Sequence, residues 1–197
     1  MKKRINQLFH SKYSIVIPNY NSQETIKKCL DAILLLHEKE RFEVIICDNM
    51  SSDLSLEIIK KYPFNLVINE KIQSAGATRN IGALNAKNDY IIFVDSDVCV
   101  PPNLIKLLEV NENFNSSDCI TGVFSTNNTY ENFFSQYKTL YANFKFKNSD
   151  KDVLNSGIML IKKKVFFDVG CFDESLQHSE DDDFSLKFNK KGYRIYL

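Results

Sequence analysis

The feature that most constrains this chain is a rhythm in its first hundred residues: four short apolar runs, each stopped by a polar residue or a breaker. Residues 13–17 run into Pro18, residues 43–47 into Asp48, and residues 90–94 into Asp95, with a further run at residues 65–68. Short continuous apolar runs bounded in this way read as strands buried on both faces. Between the first two, Ile26, Cys29, Leu30, Ile33 and Leu34 recur at i, i+3, i+4, i+7 and i+8, the apolar stripe of an amphipathic helix. Strand–helix alternation of this kind predicts an α/β fold, a mostly parallel sheet flanked by helices on both faces. Ligands of such sheets lie at the carboxyl ends of the strands. Polar residues stand at three of those ends: Asn19-Tyr20-Asn21, Asp48-Asn49 and Asp95-Ser96-Asp97.

Local signals add boundaries. Asn21, with Glu24 three residues on, reads as a capping box for the first helix. Ser51 or Ser52 is expected to cap a second, whose apolar face is Leu54, Ile58, Ile59 and Tyr62 and which Pro63 halts. Residues 74–86 are rich in small side chains and predict a helix packing closely through Ala77, Ile81 and Leu84. The second half is less regular. A helix is expected from Pro101-Pro102 to about Asn113, a strand at residues 119–125 and an aromatic-rich helix at 130–146. A mobile loop is expected at 145–152 and a strand at 158–161. A last helix should carry Phe184, Leu186 and Phe188 and close at Gly192, and a strand should follow over residues 193–197.

Composition narrows the class. The 197 residues hold 25 Lys+Arg and 25 Asp+Glu, so no global charge favours nucleic acid or an anionic membrane. A 44% hydrophobic and 25% charged content is that of a soluble globular chain. No apolar run approaches the roughly 20 residues needed to cross a bilayer, and residues 5–13 are too polar for a signal peptide. The five cysteines stand at least 18 residues apart, outside any zinc or redox spacing. They read as small buried hydrophobes of a reducing, cytoplasmic compartment. His178 reads as a packing or hydrogen-bonding residue, and His37 as a surface one.

Asp95-Ser96-Asp97 is the strongest local feature. An apolar strand delivering two carboxylates past its end can hold a divalent cation through oxygen, leaving positions for water and a diphosphate. The same pair can equally cap the following turn, and Asp-x-Asp alone is common. Asp48 can accept a hydrogen bond from a base or ribose, or can organise the loop after its strand. Tyr20 suits stacking on a base or packing in the core; Arg79 suits reaching a phosphate or an exposed ion pair. Glu180-Asp181-Asp182-Asp183 opens the last helix, where one or two carboxylates meet the helix dipole and crowding raises the pKa of others, as a general base requires.

Taken in order, these stretches resemble the family-2 inverting glycosyltransferases of GT-A fold. The likeness runs from about Tyr13 to the end of the chain. It rests on residues 14–21 (SIVIPNYN), 42–49 (FEVIICDN), 76–82 (GATRNIG), 90–97 (YIIFVDSD), 155–157 (NSG), 180–186 (EDDDFSL) and 192–195 (GYRI). The resemblance implies one GT-A domain over residues 1–197, with residues 13–97 binding a nucleotide sugar and 98–197 an acceptor. On this basis Tyr20 stacks on the uracil of a UDP-sugar, Asp48 hydrogen-bonds its ring, and Arg79 lies against its base or phosphates. Pro18 and Ser96 belong to the same donor site. Asp95 contacts ribose or metal-bound water, and Asp97 ligates Mn²⁺ or Mg²⁺. Asp181 is the base, Glu180 and Asp183 orient base and acceptor, and Asn155 shapes the acceptor side.

The implied reaction is a single inverting displacement that moves a hexosyl or N-acetylhexosaminyl group to a saccharide or lipid-linked hydroxyl, as in polysaccharide biosynthesis. Relatives of this kind work in the cytoplasm, some at the inner membrane face. The chain has no tryptophan, so the Gln-x-x-Arg-Trp element of processive synthases is missing. Family members usually continue past the point where Leu197 stands, which implies a C-terminally truncated polypeptide. The alternative reading from another class is a catalytically incomplete nucleotide-sugar or carbohydrate-binding module. A Rossmann dehydrogenase is disfavoured because no Gly-x-Gly-x-x-Gly follows Ile17, and a P-loop is absent.

Overall fold

A computed structural model describes residues 12–70, 74–111, 114–122 and 154–196. The helix expected at 130–146, the loop at 145–152 and the end of the strand expected at 119–125 lie outside the described residues. Among those described, seven strands form one mixed, mostly parallel sheet. They are β1 (Tyr13–Asn19), β2 (Phe42–Asp48), β3 (Asn65–Ile68), β4 (Tyr90–Val94), β5 (Cys119–Thr121), β6 (Ile158–Lys162) and β7 (Ile195–Tyr196). Their order is β3-β2-β1-β4-β6-β5-β7. β6 runs antiparallel to both β4 and β5, and every other pairing is parallel. The helices are α1 (Ile26–Leu34), α2 (Ser55–Ile59), α3 (Ala75–Asn85), α4 (Leu104–Val110), α5 (Lys163–Val169) and α6 (Glu180–Lys190).

Strand alternation sorts the core into two layers. Ile15, Ile17, Val44, Ile46, Ile92 and Val94 face α1, α2 and α4. Val16, Ile45, Cys47, Ile91 and Phe93 face α3, α5 and α6, where Phe166, Phe172, Phe184 and Phe188 stack ring to ring. Burial on both faces explains why the central strands read as unbroken apolar runs. The register of β1 against β2 sets Asn19 opposite Asp48, so two polar residues leave the sheet side by side. Gly82 lets α3 lie directly on this sheet, because a Cβ there would overlap Val16 Cγ1.

Several local expectations are corrected. Asn21 does not cap α1. Its backbone is left-handed (φ 47°), and its Oδ1 accepts the N–H groups of Ser52 (2.8 Å) and Asp53 (3.3 Å), bonding one loop to another. Neither Ser51 nor Ser52 caps α2; Asp53 Oδ1 accepts the Ser55 N–H at 2.9 Å. α2 ends at Ile59, before Pro63. Leu84 and Leu186 are exposed, since the burial stripes of their helices pass through Gly82-Ala83 and through Phe184 and Phe188. α4 starts after Asn103 and ends at Val110, short of the span expected. α5 was not anticipated: it opens directly from β6, and its signal is the apolar set Val165, Phe166 and Val169 before a left-handed Gly170. Cys29, Cys47 and Cys119 are buried, but Cys99 is exposed and Cys171 half-buried. His178 is exposed and His37 is at the surface.

Candidate functional site

The carboxyl ends of β1, β2 and β4 and the first turn of α3 surround a cavity of about 930 Å³. Pro18, Tyr20, Arg79, Asp95, Ser96 and Asp97 all line it, so the structure brings six of the expected site residues to one wall. Tyr20 is 54% exposed, which takes it out of the core and presents its ring to the opening. The Ser96 and Ser22 hydroxyls meet at 2.8 Å, joining the turn after β4 to the loop after β1.

Asp48 lies outside that lining. It is fully buried, and its carboxylate accepts Asn19 Nδ2 at 2.7 Å, Ser51 N–H at 2.9 Å and Ser51 O–H at 2.6 Å. Its place is beneath the cavity, organising the loop after β2. Asn19 is itself buried; its amide nitrogen also meets Ser51 Oγ and Ser55 Oγ at 3.1 Å, while its Oδ1 has no partner among the described residues.

Arg79 is 5% exposed, so the surface ion pair weighed for it is not what forms. It donates to Asp95 Oδ1 at 2.7 Å and to Glu180 Oε1 at 3.0 Å. Burial works against its charge, but the facing carboxylates of Asp95, Asp181 and Glu180 outweigh that and raise its pKa. Asp97 receives no such cation: burial, reinforced by the charge of Asp95, pushes its pKa up. Among the described residues no group of three or more His, Cys, Asp or Glu forms a metal cage. An all-oxygen pair with coordination positions to spare nevertheless fits Mg²⁺ or Mn²⁺, which keep waters and take phosphate oxygens.

On the other side, the turn at residues 155–157 links β4 to α6. Gly157 O accepts the Asp95 N–H at 3.0 Å, and the Ser156 N–H donates to Asp181 Oδ2 at 3.1 Å. Burial raises the pKa of Asp181 against the lowering pull of Ser156 and Arg79. Asn155 is buried, and its Oδ1 accepts the Gly157 N–H at 3.0 Å, shaping the turn. Asp183 pairs with Lys187 at 2.6 Å. Glu180, Asp181, Asp183 and Asn155 do not line the cavity; Glu180 is tied to its wall through Arg79.

Sequence reasoning did not single out Ser74, Thr78 or Gln177, which also line the cavity. Ser74 and Thr78 share one face of α3 by their spacing of four, a legible signal. Gln177 comes from the loop before α6 and carried none.

A mixed, mostly parallel sheet with a carboxylate pair beyond its fourth strand defines a Rossmann-like protein of the GT-A class. The chain belongs to glycosyl transferase family 2, whose family model matches residues 14–169. It is 28% identical over 187 residues to an uncharacterized glycosyltransferase of Haemophilus influenzae, covering 88% of this chain and 60% of that one. It is 45% identical over 93 residues to the poly(ribitol-phosphate) beta-glucosyltransferase of Bacillus spizizenii, covering 44% of this chain and 15% of that enzyme. The chain thus spans less than two thirds of either relative. Among solved structures, Staphylococcus aureus TarS 1–349 with UDP-GlcNAc superposes with a TM-score of 0.70 at 25% identity, over 93% of this chain and 55% of that one. The Pyrobaculum calidifontis mannosyltransferase with GDP-Man and Mn²⁺ gives 0.71 at 17% identity, over 96% of this chain and 55% of that one. Among the described residues no helix is long and apolar enough to cross a membrane.

Proposed function

We propose that this chain transfers a sugar from a nucleotide-sugar donor, UDP-linked, to a hydroxyl of a saccharide or lipid-linked acceptor with inversion. The observation that carries the reading is the placement of Asp95, Ser96 and Asp97 on the cavity wall, with Asp181 tied to the same strand end through the 155–157 turn. The UDP-GlcNAc held by the staphylococcal relative supports a nucleotide-sugar donor, and the Mn²⁺ of the archaeal one supports a divalent cation. Residues 13–97 form the donor half and 98–197 the acceptor half in this reading.

Tyr20 stacks on the base at the cavity mouth. Asp97 and Asp95 hold Mn²⁺ or Mg²⁺, which when bound supplies Lewis-acid stabilisation of the departing diphosphate. Asp181 takes the proton of the acceptor hydroxyl, and its burial makes it a stronger base than an exposed carboxylate. The hydroxyl oxygen bonds the anomeric carbon as the bond to diphosphate breaks. One displacement with no enzyme nucleophile inverts the centre, by the logic that separates inverting from retaining glycosidases.

Calorimetric titration of UDP in Mn²⁺ and then in EDTA tests the donor site, with GDP, CDP and dTDP as controls. Binding in Mn²⁺ that EDTA abolishes is expected, followed by donor hydrolysis or transfer. Binding without any turnover would identify a nucleotide-sugar-binding module instead, and binding of none of the four nucleotides would overturn the reading.

A further inference from the structure

Arg79 lines the cavity, and each of its two terminal nitrogens already holds a carboxylate. One guanidinium nitrogen reaches Asp95 at the end of β4, 16 residues away, and the other reaches Glu180 at the start of α6, 101 residues away. Only Nε lacks a partner among the described residues, and it is buried. The plane lies 5.8 Å from the Phe172 ring centroid. Charge-assisted bonds at a buried site are strong, so this fork ties Asp95 and Glu180 together across the cavity wall.

The neighbouring residues of α3 serve the same contact. Gly76, Arg79 and Asn80 share one face by their i, i+3, i+4 spacing. A Cβ on Gly76 would stand 3.1 Å from Phe172 Cβ and 3.3 Å from Asp173 O, so glycine lets the segment before α6 close onto the helix. The Asn80 amide then grips the Phe172 backbone from both sides, donating to its carbonyl at 2.9 Å and accepting its N–H at 3.1 Å.

We infer that Arg79 is a positioning residue that locks the first turn of α6 to Asp95, and thereby holds the proposed base next door, Asp181, in register with the donor site. This inference rests on the transferase reading for its kinetic consequence but not for its structural one. It assigns the Gly76–Asn80 face to docking the acceptor half.

The test is a double-variant cycle of Arg79→Lys and Glu180→Gln in the full chain. A lysine carries one point charge and cannot bridge both carboxylates as the planar fork does. Each single variant is expected to lower kcat at least thirtyfold, and in Glu180→Gln, which leaves the Asp95 arm in place, the dissociation constant of UDP in Mn²⁺ stays within threefold of wild type. The double variant should be no worse than the worse single one. A tenfold weakening of UDP binding in Glu180→Gln, kcat retained in either single variant, or losses that multiply in the double variant would overturn the assignment. Hydrogen exchange supplies a readout independent of turnover. Amides at 156–158 and 180–184 should exchange at least tenfold faster in either single variant, and unchanged exchange there would also overturn it. If the wild type binds no nucleotide and turns over no sugar, the transferase reading fails on its own while the exchange result still decides the role of Arg79.

Discussion

The Asn19 amide donates to Asp48 Oδ1 across 2.7 Å, joining the ends of β1 and β2 directly beneath the cavity floor. The bond follows from register: parallel pairing sets the two residues opposite each other as their strands leave the sheet. It also separates two roles for Asp48, contact with a nucleotide or support of the loop that receives one.

Asp48→Ala leaves the half-buried Ser51 N–H and O–H without their acceptor and takes the nearest of three acceptors from the Asn19 amide. Orphaned donors of this kind cost about 1–3 kcal/mol. We expect urea unfolding to show a loss of about 2–3 kcal/mol, accompanied by weaker UDP binding as the loop slackens. Unchanged stability with weakened binding would mean that Asp48 touches the ligand itself.

Asp97 and Asp181 should fail in different ways. Asp97→Ala is expected to abolish metal-dependent UDP binding in calorimetry. Asp181→Asn should bind UDP as wild type does and lose about a hundredfold or more in kcat, the scale of a general base. An Asp181→Asn enzyme with normal turnover would remove Asp181 from that role.

The pH dependence of turnover follows from the same carboxyl group. Burial raises the Asp181 pKa, and a base works only when deprotonated. The rate should therefore fall, as pH is lowered, at a higher pH than an exposed aspartate would give. A rate flat down to pH 4 would contradict this assignment.

Far from the cavity, Glu109 of α4 accepts two hydrogen bonds from Arg41, at 2.6 and 2.8 Å, and one each from Tyr13 and Lys12. Foremost the Arg41 bonds hold its pKa down to about 2, against an ordinary value of 4.5. Its folded pKa is depressed, so its stabilisation is complete above about pH 4.5 and drains away as pH falls toward 2. Because the side chain is a quarter exposed, on the order of 1–2 kcal/mol is expected. Glu109→Gln should lose that much at pH 7, with the two proteins converging near pH 2 in urea unfolding. A difference that does not vary with pH would assign the loss to packing.

Gly82→Ala would place a methyl group against Val16 Cγ1 and within 3.1 Å of Cys47 Sγ, in the sheet's central layer. Overpacking of this kind costs about 1–3 kcal/mol, which thermal unfolding would read as a lower Tm. An unchanged or raised Tm would show that α3 can move off the sheet at little cost.

What could be read from the chain alone followed physical periods. The apolar runs at 13–17, 43–47 and 90–94 placed three central strands, because burial on both faces leaves a continuous apolar signature; the run at 65–68 placed the edge strand β3, which is only partly buried. The endings at Asn19 and Asp95 marked residues that line the cavity, and Asp48 lies outside that lining. α5 went unread because it follows β6 without a turn, so a single apolar stretch covers a change of period from two to 3.6.

Amino-acid order alone therefore determined the layered α/β class and the carboxylate pair beyond the fourth strand. It could not decide what each polar group touches. For Arg79 and Asp48 the sequence left a ligand contact and a protein contact both open; tertiary structure gives each of them, and Asn155, protein partners. The physical reason is that a buried charge or amide must find a partner. Which partner is available depends on how sheet register and helix docking bring distant segments together, as they bring Asp95 and Glu180 to the two ends of one guanidinium.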